Sequence, residues 1–154
     1  MATVNLIQRL DSADKETMNR AQYEYFLAGS AITAGQCVSL DASQTGSDRA
    51  LYVVPSDAAD TAASFPVGIA FAAASAGDKV KVCIGGYFED AIVDTATTKG
   101  DLLQIGATAG ELDVRVTAVN EGGAATFNLL PIVALALEDD TAGKADVYII
   151  NSFC

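Results

Sequence analysis

The chain offers few residue types that can do covalent or metal chemistry. It has no histidine, so neither a Ser–His–Asp nor a Cys–His nucleophile can be assembled, and no imidazole is available to a metal. Carboxylates are plentiful: Asp and Glu number 20 against 9 Lys and Arg. Glu89, Asp90 and Asp94 lie close together, as do Glu138, Asp139 and Asp140. Two carboxylates at a suitable separation hydrolyse a glycoside, and a ring of carboxylate oxygens takes calcium. Neither cluster has the spacing of an EF-hand loop, so solvated loops are the simpler assignment. Cys37, Cys83 and Cys154 are odd in number and widely spaced, with no CxxC pair. They read as buried or terminal free thiols, with Cys154 the one placed for an intersubunit disulfide. Gly85–Gly86 and Gly122–Gly123 do not form a GxGxxG, and no phosphate loop is present. Such pairs suit turns or bulges, where glycine takes positive φ without steric cost. No cofactor or metal is expected, and no enzyme activity.

What remains is binding. Tyr23, Tyr25 and Phe26 sit together, and Tyr87 and Phe88 follow the first glycine pair. Without tryptophan, a sugar-stacking platform is disfavoured. These five aromatics are candidates for an intersubunit interface, where Tyr and Phe are enriched. The formal net charge of −11 repels phosphate backbones and anionic membranes, so neither nucleic acid nor membrane is an expected partner. No apolar run approaches the roughly 20 residues of a membrane span. The N-terminus lacks a basic start followed by an apolar stretch, so we expect cytosolic synthesis and assembly.

The elements that must carry these residues are mostly strands. All 13 glycines fall within residues 27–154. There, short Val, Ile, Leu, Phe and Tyr runs alternate with Gly, Asp, Ser and Thr, the pattern of strands and turns. Candidate strands are 37–40, 50–54, 67–71, 79–84, 102–105, 113–117, 127–130, 132–137 and 146–150. The sequence also repeats with an offset of about 65: residues 31–40 are echoed by 96–105, and 67–84 by 132–149. Two related halves, about 27–90 and 91–154, would fuse into one small barrel or sandwich. Residues 1–26 have no glycine and read as an arm. Val4, Leu6, Ile7 and Leu10 are its apolar contact residues, and Asp11 or Ser12 could cap a short helix through about Tyr23. The 28 alanines thin the core, because each adds only about one buried methyl, and thin cores are often completed by other subunits.

The stretch from Val67, Gly68, Ile69 and Ala70 through Ala76–Gly77 to Gly86, Tyr87 and Phe88 resembles tailed-phage capsid decoration (cement) proteins. Residues 96–103 (Ala-x-x-x-Gly-Asp-x-Leu) and the turn 33–36 are similar to the same family. The resemblance implies a small β-barrel or β-tulip module, a homotrimer without chemistry. It would sit on the outer surface of an expanded head and staple neighbouring major capsid subunits against internal pressure. The virion is then its location and the host cytoplasm its place of assembly. Two other readings stay open: another phage structural or receptor-binding β-module, and a hydrolase built on Glu89 and Asp90.

Overall fold

The structure is a computed structural model. It describes residues 21–115 and 131–150, and the backbone path of 119–121 and 124–126. The arm residues Val4, Leu6, Ile7 and Leu10 lie outside the described residues, as do Cys154 and the strand expected at 127–130. Eleven strands follow in order: β1 (Gln22–Ala28), β2 (Cys37–Leu40), β3 (Tyr52–Pro55), β4 (Pro66–Ala70), β5 (Lys79–Ile92), β6 (Leu102–Ile105), β7 (Leu112–Val114), β8 (Val119–Glu121), β9 (Ala124–Thr126), β10 (Ile132–Ala136) and β11 (Lys144–Ile149). A 3-10 turn, Arg49–Leu51, precedes β3.

The pairing makes two lobes. Strand β1 pairs with both β3 and β5, so the order β1-β3-β2-β4-β5 closes into a ring. The order β5-β11-β10-β6-β7 forms the second lobe. Val93, directly after β5, bridges Leu112 in parallel and brings that lobe's ends together. Closure removes exposed sheet edges, which otherwise recruit other chains. The chain thus has the all-β, two-halved barrel architecture expected from its sequence.

The repeat is visible bond by bond. The pair Leu27↔Lys79 recurs as Ile92↔Lys144, each member 65 positions on (27 to 92, 79 to 144). Ala28 N–H donates to Asp78 O (2.9 Å), and Val93 N–H donates to Gly143 O (3.0 Å). The turn ahead of each lobe's second strand is built alike. Thr33 N–H donates to Gln36 Oε1 and Thr98 N–H to Asp101 Oδ2, both at 2.8 Å. Gly35 and Gly100 take φ of 84° and 94° in these turns, a region where a Cβ is penalised.

Strand β5 belongs to both lobes. Its first stretch pairs with β1 up to Gly85, and its second pairs with β11 from Gly86 onward. The glycine pair is therefore no turn. The strand runs through it, with a register irregularity opposite Gln22–Tyr23 and Gly86 at φ 90°, the bulge alternative of the sequence reading. Strand β1 also corrects an expectation. Gln22 and Tyr23 are extended, not the end of a helix, and the strand starts before residue 27. Pairing with β5 along nearly all its length holds this aromatic-rich segment as a strand.

Two apolar clusters fill the lobes. Ala28, Val38, Val53, Val80 and Val82 are among the first lobe's core. The second cluster contains Leu103, Ile105, Leu112, Val147 and Ile149, and also Cys37, Ile69 and Cys83 from the first lobe. Side chains alternate across a strand. Val38, Ala70 and Val82 therefore point into the first lobe, while Cys37, Ile69 and Cys83 point out of it and are covered by the second.

Candidate functional site

Tyr23 and Tyr25 stand two residues apart on β1 and so share its outer face. Tyr25 is 68% exposed and Phe71, just past β4, is 52% exposed. Lys81 lies opposite Tyr25 in the β1–β5 pairing. Its Nζ sits 4.1 Å from the centroid of the Tyr23 ring and 4.5 Å from that of Phe71. The two rings meet edge to face, with centroids 5.7 Å apart and planes at 87°. An ammonium over ring faces and an edge-to-face pair are both favourable arrangements, and together they fix an aromatic strip on the first lobe's surface.

The strip borders a cleft of about 470 Å³ whose far wall includes Tyr87, Glu89 and Lys144. Tyr87 donates its hydroxyl to Asp146 Oδ2 and, at 3.4 Å, to Glu89 Oε1. The hydrogen bond to Asp146, then burial, then the charges of Asp146 and Glu89 all hold the phenol in its neutral form and push its pKa up. The cleft is lined by Tyr23, Tyr87 and Phe88 of the five predicted aromatics. Phe88 is only 6% exposed and belongs to the second cluster. Tyr25 and Phe26 do not line it, and Phe26 packs partly buried on the first cluster.

The carboxylates of residues 138–140 are spent on backbone amides. Glu138 Oε1 accepts from Asp146 N–H (3.1 Å), Asp139 Oδ1 from Lys99 N–H (2.8 Å), and Asp140 Oδ2 from Gly143 N–H (3.3 Å). Asp90 has φ 56° where β5 slips register against β11, so Glu89 and Asp90 are an exposed bulge. Among the described residues no group of three or more His, Cys, Asp or Glu side chains is placed to hold a metal. Nor is any helix there long and apolar enough to cross a membrane.

No family model and no curated protein matches the chain. Among solved structures, it is similar to the head fiber gp8.5 N base of bacteriophage phi29, with a TM-score of 0.55 and 17% identity over 86% of this chain and 96% of that one. The chain shares the fold of that head-fibre base. The likeness extends over both lobes, since 86% of the chain is more than either lobe contains.

The sequence reading missed Phe71 and Lys81. Lys81 was legible in principle: it alternates with the buried Val80 and Val82, so simple alternation places it outward. Phe71 was not, because alternation puts it on the same face as the fully buried Ile69. Their meeting with Tyr23 depends on a register between β1 and β5 that no local pattern encodes.

Proposed function

We propose that this chain is a non-enzymatic structural part of a tailed-phage virion: a decoration protein that binds the outer surface of the expanded head as a homotrimer and strengthens contacts between major capsid subunits. The observation that carries the reading is the two-lobed fold shared with a phage head-fibre base. Two further features support it. The carboxylates of Glu138, Asp139 and Asp140 are occupied by backbone amides, and Glu89 accepts from the Tyr87 hydroxyl, which suits a structural part. The exposed strip of Tyr23, Tyr25 and Phe71 offers rigid aromatic anchors of the kind that dominate protein interfaces. A net charge of −11 suits an outer face turned away from a packaged polyanion. In this reading the residues ahead of β1 supply a tether: Val4, Leu6, Ile7 and Leu10 dock on a neighbour and offset the entropy of ordering an extended segment.

The test mixes purified protein with expanded and unexpanded heads and sediments them. Saturable co-sedimentation with expanded heads is expected, and its absence removes the decoration role. Deleting residues 2–10 is expected to leave thermal melting nearly unchanged and to weaken head binding strongly. A deletion that binds heads as well as the full chain eliminates the tether.

The cleft favours a second reading, as a receptor-binding module. Its aromatic wall of Tyr23 and Phe71 and its polar wall of Glu89 and Lys144 are features that carbohydrate sites share. Reproducible glycan-array hits lost on Phe71→Ala would establish it in place of the first.

A further inference from the structure

Two equivalent rows of side chains cross the outer faces of the two lobes. In the first lobe the row runs Cys37, Ile69, Cys83, Tyr23, each residue directly opposite the next across paired strands. In the second lobe it runs Leu102, Leu135, Tyr148, Tyr87, in the same strand order. The first row is covered over three of its four members: Cys37, Ile69 and Cys83 are each 0% exposed and pack in the second lobe's cluster, while Tyr23 at the row's end stays 39% exposed. The second row is open: Leu102 is 39% and Tyr148 38% exposed, with Ile150 beside them at 40%.

The turns at the ends of the rows differ in the same sense. A Cβ on Gly35 would lie 2.6 Å from Asp90 O of the second lobe, whereas one on the equivalent Gly100 would meet nothing within 4 Å. Gly35 O also accepts Ile92 N–H at 2.9 Å. The chemistry of the open row is not that of a wetted face. Outward positions that meet solvent on a half-buried sheet are usually polar, as Lys79 and Lys81 are on β5. The open row instead carries Leu102, Leu135 and Tyr148 where the covered row has Cys37, Ile69 and Cys83, with a tyrosine at the end of each.

We propose that the row Leu102, Leu135, Tyr148 and Tyr87 is the seat for a second copy of this chain, which presents its first lobe. The occupant follows from the repeat. One lobe already seats on Cys37, Ile69 and Cys83, and the open row is their equivalent, left exposed among the described residues. The lobe that stands in the matching relation to it is the first lobe of another copy. Such contacts are head-to-tail, so they close into a ring when the rotation per copy permits, which is how a homotrimer would form. The proposal names the surface behind the self-association in the proposed function and rests on that element of it, independently of any capsid.

Sedimentation velocity of the full chain without capsids tests it. The native protein is expected to self-associate at micromolar concentration. Leu102→Glu and Tyr148→Glu are each expected to raise the dissociation constant by about thirtyfold or more, as loss of an interface anchor does, with thermal melting unchanged. As a second measurement, a photo-crosslinker replaces Tyr148 in a mixture of heavy- and light-isotope protein. Heavy–light crosslinks to residues 21–93 of another copy are expected. A monomeric native chain, glutamate variants that associate normally, or crosslinks confined to the same chain, its residues 1–20 included, each overturn the proposal. If a glutamate variant fails to fold, the crosslink decides. A monomer that still sediments with expanded heads removes this proposal and leaves head binding standing. A ring that ignores heads does the reverse.

Discussion

Asp41 is 8% exposed and accepts three hydrogen bonds, from the Ser43 amide (3.0 Å), the Ser43 hydroxyl (2.5 Å) and Gln44 Nε2 (2.7 Å). Burial alone would raise its pKa, but these bonds stabilise the carboxylate more, and the net shift is downward. A depressed folded pKa adds stability that is present above the unfolded value of about 3.9 and lost as pH falls through the folded value. Asp41→Ala is expected to cost about 2 kcal/mol at pH 7 and to flatten the pH dependence of stability below about pH 4; urea unfolding at pH 7 and pH 3 checks both. The same use of aspartate recurs at Asp57, Asp60 and Asp101, which cap the amides of Ala59, Ala62 and Thr98. The acidic composition, read from sequence as surface charge, is therefore also a set of turn-closing acceptors. The cysteines were read correctly as free thiols where they are described: Cys37 and Cys83 are unpaired and buried. Burial pushes the Cys37 thiol up to about 12 against a weaker opposing hydrogen bond from Ser56, and burial also raises Cys83. Because thiolate is the reactive form, iodoacetamide at pH 8 should spare both in the native protein and label both in denaturant, as peptide mass mapping would show.

At the scale of the element, β4 depends on Gly68. A Cβ there would lie 2.0 Å from Cys83 O, so the glycine answers a close approach of β4 to β5. Gly68→Ala is expected to destabilise by at least about 2 kcal/mol, because backbone must move to admit the methyl. Calorimetry would read this as a lowered melting temperature. Most strands were legible because glycine, aspartate and serine punctuate short apolar runs. The repeat was legible because Thr33 to Gln36 and Thr98 to Asp101 close their turns with the same acceptor geometry. Strand β1 and the second stretch of β5 were not. Their hydrogen bonds go to partners far along the chain, Tyr23 to Cys83 and Tyr87 to Tyr148, and a non-local register leaves no periodic trace in a local window. The aromatic grouping was legible, but which rings face out was settled only by strand alternation once β1 was known to be a strand. On that basis Tyr25→Ala, which removes an exposed ring, should leave melting within about 0.5 kcal/mol of native stability while reducing head binding.

Among the described residues the two lobes share one strand and one apolar cluster. Ile69 leaves the first lobe and enters the second lobe's core with Leu103, Val147 and others, so the first lobe completes the packing of the second. Ile69→Ala is expected to cost about 2–5 kcal/mol and to shift one transition rather than split it. Equality of calorimetric and van't Hoff enthalpies tests this, and two separable transitions would contradict it. Part of what fills the second lobe's core comes from the chain's own other half, in Cys37, Ile69 and Cys83. The shared strand has a mechanical consequence as well. At 14 residues, β5 reaches about 46 Å, and it enters one lobe and leaves the other without a linker. Tension applied across the two lobes passes along covalent backbone rather than through a packed interface alone. The lobes cannot be peeled apart without stripping β5 from its partners on both sides, so the protein behaves under load as a tie bar and not as a hinge.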